Sequence, residues 1–480
     1  MTEIVSELLR YGTILLVVTY TAVAVSLLRD KDNRAKNPYT YVLIGCVFLL
    51  QLFMGCTAYI MTLEVKLLWF CFAQLVYMAA LYTVFRILYA KGSVVLLTHM
   101  CMLLTIGLAI LTRLSFNKAV RQFELLVIGT ALAGLIPFIM SKFKLLRKMA
   151  WFYGSIGIGL LLLVLLIAEN TNGAKLSIEI FDIAFQPSEF VKIVFVFFVA
   201  AMFEHGASFS QVIKTSVMAA AHVLILVASK DLGSALIYAI VYVMLVYIAT
   251  GNALYLFGGL LGGSAASYIA YTLFDHVKTR VTAWMDPWSV IDNKGYQVAQ
   301  SLFSIATGGW FGLGLYKGSP GTIPVVEEDF VFAAICEELG VIVAICVIVI
   351  TFLCVRRFFK AAMDSYGDFY RFMALGLGAT YGIQAFITIG GAIKLIPSTG
   401  VTLPLISYGG SSLFSTIAMF SIIQGIIILK RDEDEKIERE KEQRRQERQK
   451  QKIGAERKNS LKAAGEKGQK KHEGNRGKKK

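Results

Sequence analysis

Apolar runs of about 20 residues, the length a helix needs to cross a bilayer's hydrocarbon core, recur along this 480-residue chain between short polar turns. They predict about 13 membrane-spanning helices. In the first half the runs fall at Tyr11 to Leu28, Tyr39 to Met61, Leu67 to Tyr89, Val94 to Leu111, Leu125 to Met140, Ala150 to Ala168 and Phe190 to Phe203. The second half adds Ser216 to Ala228, Ser234 to Ala249, Ala253 to Phe274, Phe330 to Val355, Met373 to Thr388 and Ser407 to Leu429. The eighth is short for a span and leaves the count open by one. The runs are continuous rather than alternating, which speaks for an all-α polytopic membrane protein and against a β-barrel or a soluble globule. A hydrophobic content of 56% and a mean hydropathy of +0.62 agree.

One polar stretch between spans, Asp275 to Glu328, is far longer than a usual connection. It ends on Glu327, Glu328 and Asp329, immediately before the apolar run that opens at Phe330. Acids at the mouth of a span sit at head-group depth, where a lipid-linked substrate can meet a water-exposed base. Asp329 is therefore the leading catalytic candidate. Its neighbours and partial desolvation should both favour the neutral carboxyl, which suits a general base. The plainer alternative is a helix start whose acids complement the N-terminal dipole.

Positive loops resist translocation, so lysine and arginine orient the bundle. Arg29, Lys31, Arg34 and Lys36 mark one cytoplasmic loop; Lys142, Lys144, Arg147 and Lys148 mark another. Arg356, Arg357 and Lys360 mark a third and the C-terminal tail a fourth, each an even number of spans from the next. The expected topology has the N-terminus and the long loop outside a cytoplasmic (plasma) membrane and the C-terminus inside. Arg113, Lys118 and Arg121, on an outer connection, run against the rule.

The net charge of +15 is uneven, because residues 430–480 hold 20 Lys and Arg against 11 Asp and Glu. With no aromatics and both charge signs mixed, this tail reads as a solvated cytoplasmic extension near anionic lipid, disordered or partly helical, rather than a nucleic-acid binder. All seven cysteines lie in or beside apolar runs, without a disulfide framework or metal motif. Met1 to Arg10 carries two acids and one base, unlike a cleavable signal peptide, so the first span is expected to stay.

Several motifs follow in order. Gly173-Ala174-Lys175 precedes Gln186-Pro187-Ser188-Glu189 with Lys192, and then Asp231-Leu232-Gly233. The long loop holds Arg280, Trp284, Asp286-Pro287-Trp288, Gly295-Tyr296-Gln297 and Gly308-Gly309-Trp310. After Asp329-Phe330 come Glu337-Glu338-Leu339-Gly340 and Pro404-Leu405-Ile406-Ser407-Tyr408-Gly409-Gly410-Ser411-Ser412. Together these resemble the SEDS family of FtsW, RodA and SpoVE proteins, which polymerise peptidoglycan glycan strands. The resemblance covers Val94 to Leu429, some ten spans. It implies a three-span N-terminal extension (1–92), a SEDS-type ten-span core (93–430) and a charged tail (431–480).

The resemblance implies an inverting glycosyl transfer from lipid II, an undecaprenyl-pyrophosphoryl disaccharide-pentapeptide, with a class B penicillin-binding protein and divisome or elongasome components as partners. The family's essential aspartate aligns with Asp329, which would take the proton from the acceptor hydroxyl while cations stabilise the leaving pyrophosphate. Arg280 matches the family's arginine ahead of the Asp-Pro-Trp run; Lys175, Lys317 and Lys294 are further candidate cations. Glu189, Lys192, Asp231, Gln297, Ser407, Gly409 and Ser411 are candidate substrate-binding positions on the motif matches. Glu189 and Lys192, three apart on one helical face, can equally form a neutralising pair. Indoles at Trp284, Trp288 and Trp310 suit interfacial anchoring or stacking on sugars. Ser407 to Ser412 is expected to pack tightly as backbone near the cavity.

This chain departs from the family at four places. Glu327-Glu328 replace a His-Thr pair, and they could hold a divalent cation, Mg²⁺ or Mn²⁺, under the pyrophosphate. Lys230 replaces a proline, which suggests a local interaction with Asp231. Leu176-Ser177 replace Arg-Trp, and Thr388 replaces an asparagine, four residues after Gln384. The runner-up reading is a flippase for lipid-linked cell-wall precursors, since a bundle with buried charges also suits transport; a non-catalytic scaffold would make Asp329 dispensable. A role in division, elongation or sporulation is not distinguished by the sequence.

Overall fold

The computed structural model describes residues 2–28, 38–168, 177–180 and 183–476. The N-terminal segment forms α1 (Thr2–Ser26), α2 (Pro38–Thr62) and α3 (Val65–Leu88). Then come α4 (Val94–Leu114), α5 (Phe116–Ala133), its short continuation α6 (Ile136–Lys142), α7 (Ala150–Ile167), α8 (Pro187–Phe203), α9 (Phe209–Ala228), α10 (Leu232–Thr250) and α11 (Ala253–Leu273). The long loop contributes α12 (Asp275–Met285) and α13 (Tyr296–Gly308), followed by α14 (Val331–Leu339), α15 (Val341–Asp364), α16 (Asp368–Ala392) and α17 (Gly410–Arg476). A two-stranded antiparallel hairpin, β1 (Ile178–Ile180) and β2 (Ile183–Phe185), precedes α8. Twelve spans among the described residues are long and apolar enough to cross a membrane, α5 and α6 counting as one. The 17-residue α8 is a shorter, largely buried thirteenth.

Local chemistry sets many of the boundaries. Ser93 caps α4 by accepting from Leu96 N–H (3.3 Å), and Ser115, extended between α4 and α5, accepts from Lys118 N–H (3.5 Å). Pro187 opens α8 where its missing N–H costs nothing. Ser208 and Gln211 form a capping box that starts α9 at Phe209, so the short eighth span is in fact a 20-residue helix. Asp231 caps α10 through Ser234 N–H (3.1 Å), and Gly251, with φ of 65°, ends it.

Two expectations change. The long loop is structured, with two helices pinned to the bundle; Trp284 Nε1, for example, donates to the Lys394 carbonyl (3.2 Å). The span placed from Phe330 is broken at Gly340, whose φ of 90° separates the short, buried α14 from the apolar α15. Residues 1–92 fall within the same compact unit as the core, Met1–Ile428, and Leu429–Lys480 form another. In this second unit α17 continues as a charged helix with i,i+4 pairs such as Lys430–Asp434 (2.5 Å).

Within the first unit α4 is buried along almost its whole length, while α11 buries no residue. The loop between α16 and α17 lies on α4. A Cβ at Gly107 would stand 2.7 Å from Ile406 Cα, so glycine alone permits that approach.

Candidate active site beneath the long loop

Asp329 lies in the turn between Val325 and α14. Its N–H and that of Glu328 donate to the Val325 carbonyl (3.3 and 3.1 Å), and Val325 itself has φ of 54°. The preceding backbone is fastened from the α16–α17 loop. Tyr408 N–H donates to the Glu327 carbonyl (2.8 Å) and Ser407 Oγ to the Glu328 carbonyl (2.5 Å). Ser407 Oγ is in turn held by Leu403 N–H (2.9 Å), and Gln122 of α5 bonds both the Ser407 carbonyl (3.1 Å) and Gly409 N–H (3.3 Å). Ser407 and Gly409 thus hold the aspartate's peptide segment, and their hydrogen-bonding groups are spent within the protein. Ser411 serves another segment, its Oγ accepting from Gln186 N–H (2.9 Å) just before α8.

The Asp329 carboxylate faces Arg280 of α12 across Gly400. A Cβ placed on Gly400 would meet Arg280 Nη2 at 2.9 Å and Asp329 Oδ2 at 3.6 Å, and the residue's φ of 71° favours glycine in any case. Both charged groups therefore reach one exposed point on the α16–α17 loop. Burial pushes the Asp329 carboxyl above the ordinary range, and the Arg280 guanidinium opposes the shift. Burial likewise lowers Arg280, while Asp329 and then Asp231 raise it. Arginine nonetheless stays charged. Asp231 arrives with the start of α10, where a Cβ on Gly233 would lie 2.4 Å from Val401 Cγ2, one residue beyond Gly400. Burial raises its carboxyl too.

Asp231 bonds Ser188 Oγ (2.8 Å), Ser234 N–H (3.1 Å) and Gln186 Nε2 (3.4 Å). The expected local contact with Lys230 is therefore replaced by bonds into the start of α8; Lys230 adopts φ of 63° and is exposed.

Glu189 and Lys192 form a buried ion pair, extended by Lys192 Nζ to Gln384 Oε1 (2.7 Å) and Ser415 Oγ to Glu189 Oε2 (2.9 Å). Gln384 Nε2 reaches the Thr402 carbonyl (3.1 Å) and Ser412 Oγ (3.3 Å), and Thr388 Oγ1 the Val401 carbonyl (2.8 Å). This network ties α8, α16 and α17 to the loop at Val401 and Thr402, just beyond Gly400.

Glu327 pairs with Lys118 at the start of α5, and Lys118 also lies 5.3 Å from the Tyr408 ring centre. Arg113, at the end of α4, pairs with the buried Glu338 (2.9 Å) and donates to the Gly318 carbonyl (2.9 Å). Two of the three cations that broke the charge rule are thus neutralised by acids of or beside the long loop. The donor set fits a divalent cation poorly, since Glu327 already has a cationic partner. Among the described residues no three His, Cys, Asp or Glu side chains are grouped to hold a metal. Glu328 stays half-buried, with its carboxyl raised by burial and by Asp329.

The remaining candidates are spread more widely. Lys317 binds Glu7 of α1 (2.6 Å), Gln297 Nε2 donates to the Pro324 carbonyl (3.1 Å), Lys294 is exposed, and Lys175 lies outside the described residues. Sequence reasoning missed Gly400, whose positive φ has no signature in a loop rich in small residues. It also missed Thr399 and His276, each of which keeps a buried polar atom without a hydrogen bond.

A family described as cell cycle proteins, covering FtsW, RodA and SpoVE, matches residues 93–431. This chain belongs to that family. The match begins just after the three-span N-terminal segment and ends at the start of the charged tail. Among curated relatives, the peptidoglycan glycosyltransferase RodA of Mycobacterium tuberculosis is 33% identical over 328 residues, covering 64% of this chain and 70% of the relative. The probable peptidoglycan glycosyltransferase FtsW of Neisseria gonorrhoeae is 28% identical, covering 67% and 78%. A solved chain from a study of a peptidoglycan synthase complex that coordinates polymerization and crosslinking matches with a TM-score of 0.60 and 25% identity, over 70% of this chain and 97% of that one. The rod shape determining protein RodA of Thermus thermophilus shares the fold, with a TM-score of 0.54, 23% identity and coverage of 70% and 96%.

Proposed function

We propose that this chain is a peptidoglycan glycosyltransferase that polymerises lipid II, with Asp329 as general base. The observation that carries the reading is the meeting of the Asp329 carboxylate and the Arg280 guanidinium at Gly400. Asp329 takes the proton of the acceptor sugar's hydroxyl as its oxygen forms the bond to the anomeric carbon. The bond from that carbon to the lipid pyrophosphate breaks with inversion, and the electron pair leaves on the phosphate, beside Arg280. A raised carboxyl is the stronger base, provided the pH keeps it ionised.

The face carrying Asp329 is the outer face of the cytoplasmic membrane in this reading, with the C-terminus inside and the start of α1 outside. The contact of Glu7 with Lys317 supports the last assignment by joining α1 to the long loop. A class B penicillin-binding protein is the proposed partner, and the structural relative from a peptidoglycan synthase complex supports it. A metal role for Glu327 and Glu328 predicts that excess chelator stops polymerisation; the Lys118 pair favours continued activity.

The decisive test is the purified full chain with labelled lipid II. Wild type should build glycan strands, whereas Asp329→Asn should lower the rate by at least about a hundredfold, the scale of general-base catalysis. Strand synthesis undiminished in Asp329→Asn would overturn the mechanism.

A further inference from the structure

The three-span N-terminal segment lies outside the family match and carries no residue of the candidate site. Its contacts with the long loop are nonetheless specific. Glu7 of α1 pairs with Lys317 (2.6 Å) and with Arg10 (2.9 Å), Arg10 Nη1 reaches the Leu313 carbonyl (3.5 Å), and the Tyr11 ring meets Phe311 edge-on at 6.1 Å. Between these polar ties Leu315 is buried, sharing one small cavity with Ile14, Met54 and Leu339 and another with Gly55, Leu67 and Phe70. All three N-terminal helices therefore help to seat one leucine of the loop.

The same stretch of loop is zipped to α14. Leu313 N–H donates to the Glu337 carbonyl (2.8 Å), Gly314 N–H to the Glu338 carbonyl (2.9 Å) and Ser319 N–H to Glu337 Oε1 (2.6 Å). Gly312 fits because its φ is 73° and a Cβ there would stand 2.4 Å from the Glu338 carbonyl oxygen. Since α14 starts at Val331, two residues after Asp329, whatever fixes residues 311–319 also fixes the base.

We propose that the three N-terminal spans form an intramolecular brace for the catalytic turn, with Leu315 as its apolar anchor and the Glu7–Lys317 pair as its polar latch. Leu315, Glu7 and Lys317 are positioning residues; Lys317 is thereby assigned to the brace and not to the pyrophosphate. The inference rests on the glycosyltransferase reading for its rate arm and on packing alone for its exchange arm. A partly exposed ion pair contributes little by itself, so the latch trims a motion that the buried leucine mainly limits.

The test uses the full chain in lipid nanodiscs, with Lys317→Glu, Glu7→Lys, the double swap and Leu315→Ala. Hydrogen exchange over residues 309–319 and 325–330 should quicken in Lys317→Glu and more so in Leu315→Ala. Initial rates from lipid II should fall about two- to fivefold in Lys317→Glu, the size of a partly exposed pair, and the double swap should recover rate and protection together but in part, since Glu7→Lys also loses the pair with Arg10. A swap that restores protection without the rate would make Lys317 a substrate ligand and overturn the latch. Exchange unchanged in both Lys317→Glu and Leu315→Ala would overturn the brace. Should wild type polymerise nothing, the enzymatic reading fails and the exchange arm alone decides the brace.

Discussion

The raised Asp329 carboxyl sets a pH dependence whose sign is fixed. As the proposed base, Asp329 works only when ionised, so the acid limb of the rate profile should lie above the ordinary aspartate range. Removing Arg280, which holds the shift down, should move that limb to still higher pH in Arg280→Ala, besides slowing the reaction; rates from pH 4 to 9 check this. Stability follows the opposite sign. A carboxyl raised in the folded state disfavours folding once the pH exceeds its unfolded value, so Asp329→Asn should melt at the same or a higher temperature than wild type near pH 7. Gly400→Ala should cost about 1–2 kcal/mol for a side chain in the left-handed region. Its Cβ would also press on Arg280, so turnover should fall more than thermal stability does. Asp329 and Arg280 could be named from residue type and motif order. Gly400 could not, because the left-handed turn and the two charges that meet there come from different elements.

At the scale of elements, the α16–α17 loop is the common fastening. It holds the Asp329 segment through Ser407 and Tyr408, and it is held by Gln384 and Thr388 beneath. The Glu189–Lys192 pair at the base of this network should show the asymmetry of buried charges. Lys192→Met alone leaves a buried carboxylate and should destabilise by about 3–5 kcal/mol, whereas Lys192→Met with Glu189→Gln should cost clearly less. Thermal unfolding of wild type and the two variants in one detergent measures this. The pairing of residues three apart on a helix was legible in the chain. The partners from α16 and α17, 192 and 226 positions away, were not, since side-chain spacing carries information only within an element. Likewise the apolar run after Phe330 gave no hint of its break, because Gly340 marks a strained turn only once Gly309 and Trp310 have packed against it.

At the scale of the molecule, the core and the tail are separate compact units. Removing residues 431–480 should leave strand synthesis from lipid II intact, while the tail by itself, as a peptide, should bind vesicles containing anionic lipid. That binding should weaken as salt rises through the ~10 Å Debye length at 0.1 M. Retained affinity at 0.5 M salt would argue against an electrostatic tether.

The sequence by itself determined the class of the protein and, within the tolerance of one short helix, the number of spans, and its motif order named Asp329 and Arg280 as candidates. Those features are written in composition, periodicity and motif order, which act locally along the chain. Tertiary structure alone decided which cations answer which acids. Lys118 takes Glu327, Arg113 takes Glu338 and Lys317 takes Glu7, which leaves Arg280 to face Asp329. The reason is physical: burial makes charge pairing compulsory, but the partner is chosen by whichever helices meet, and helices far apart in sequence meet only in the folded bundle.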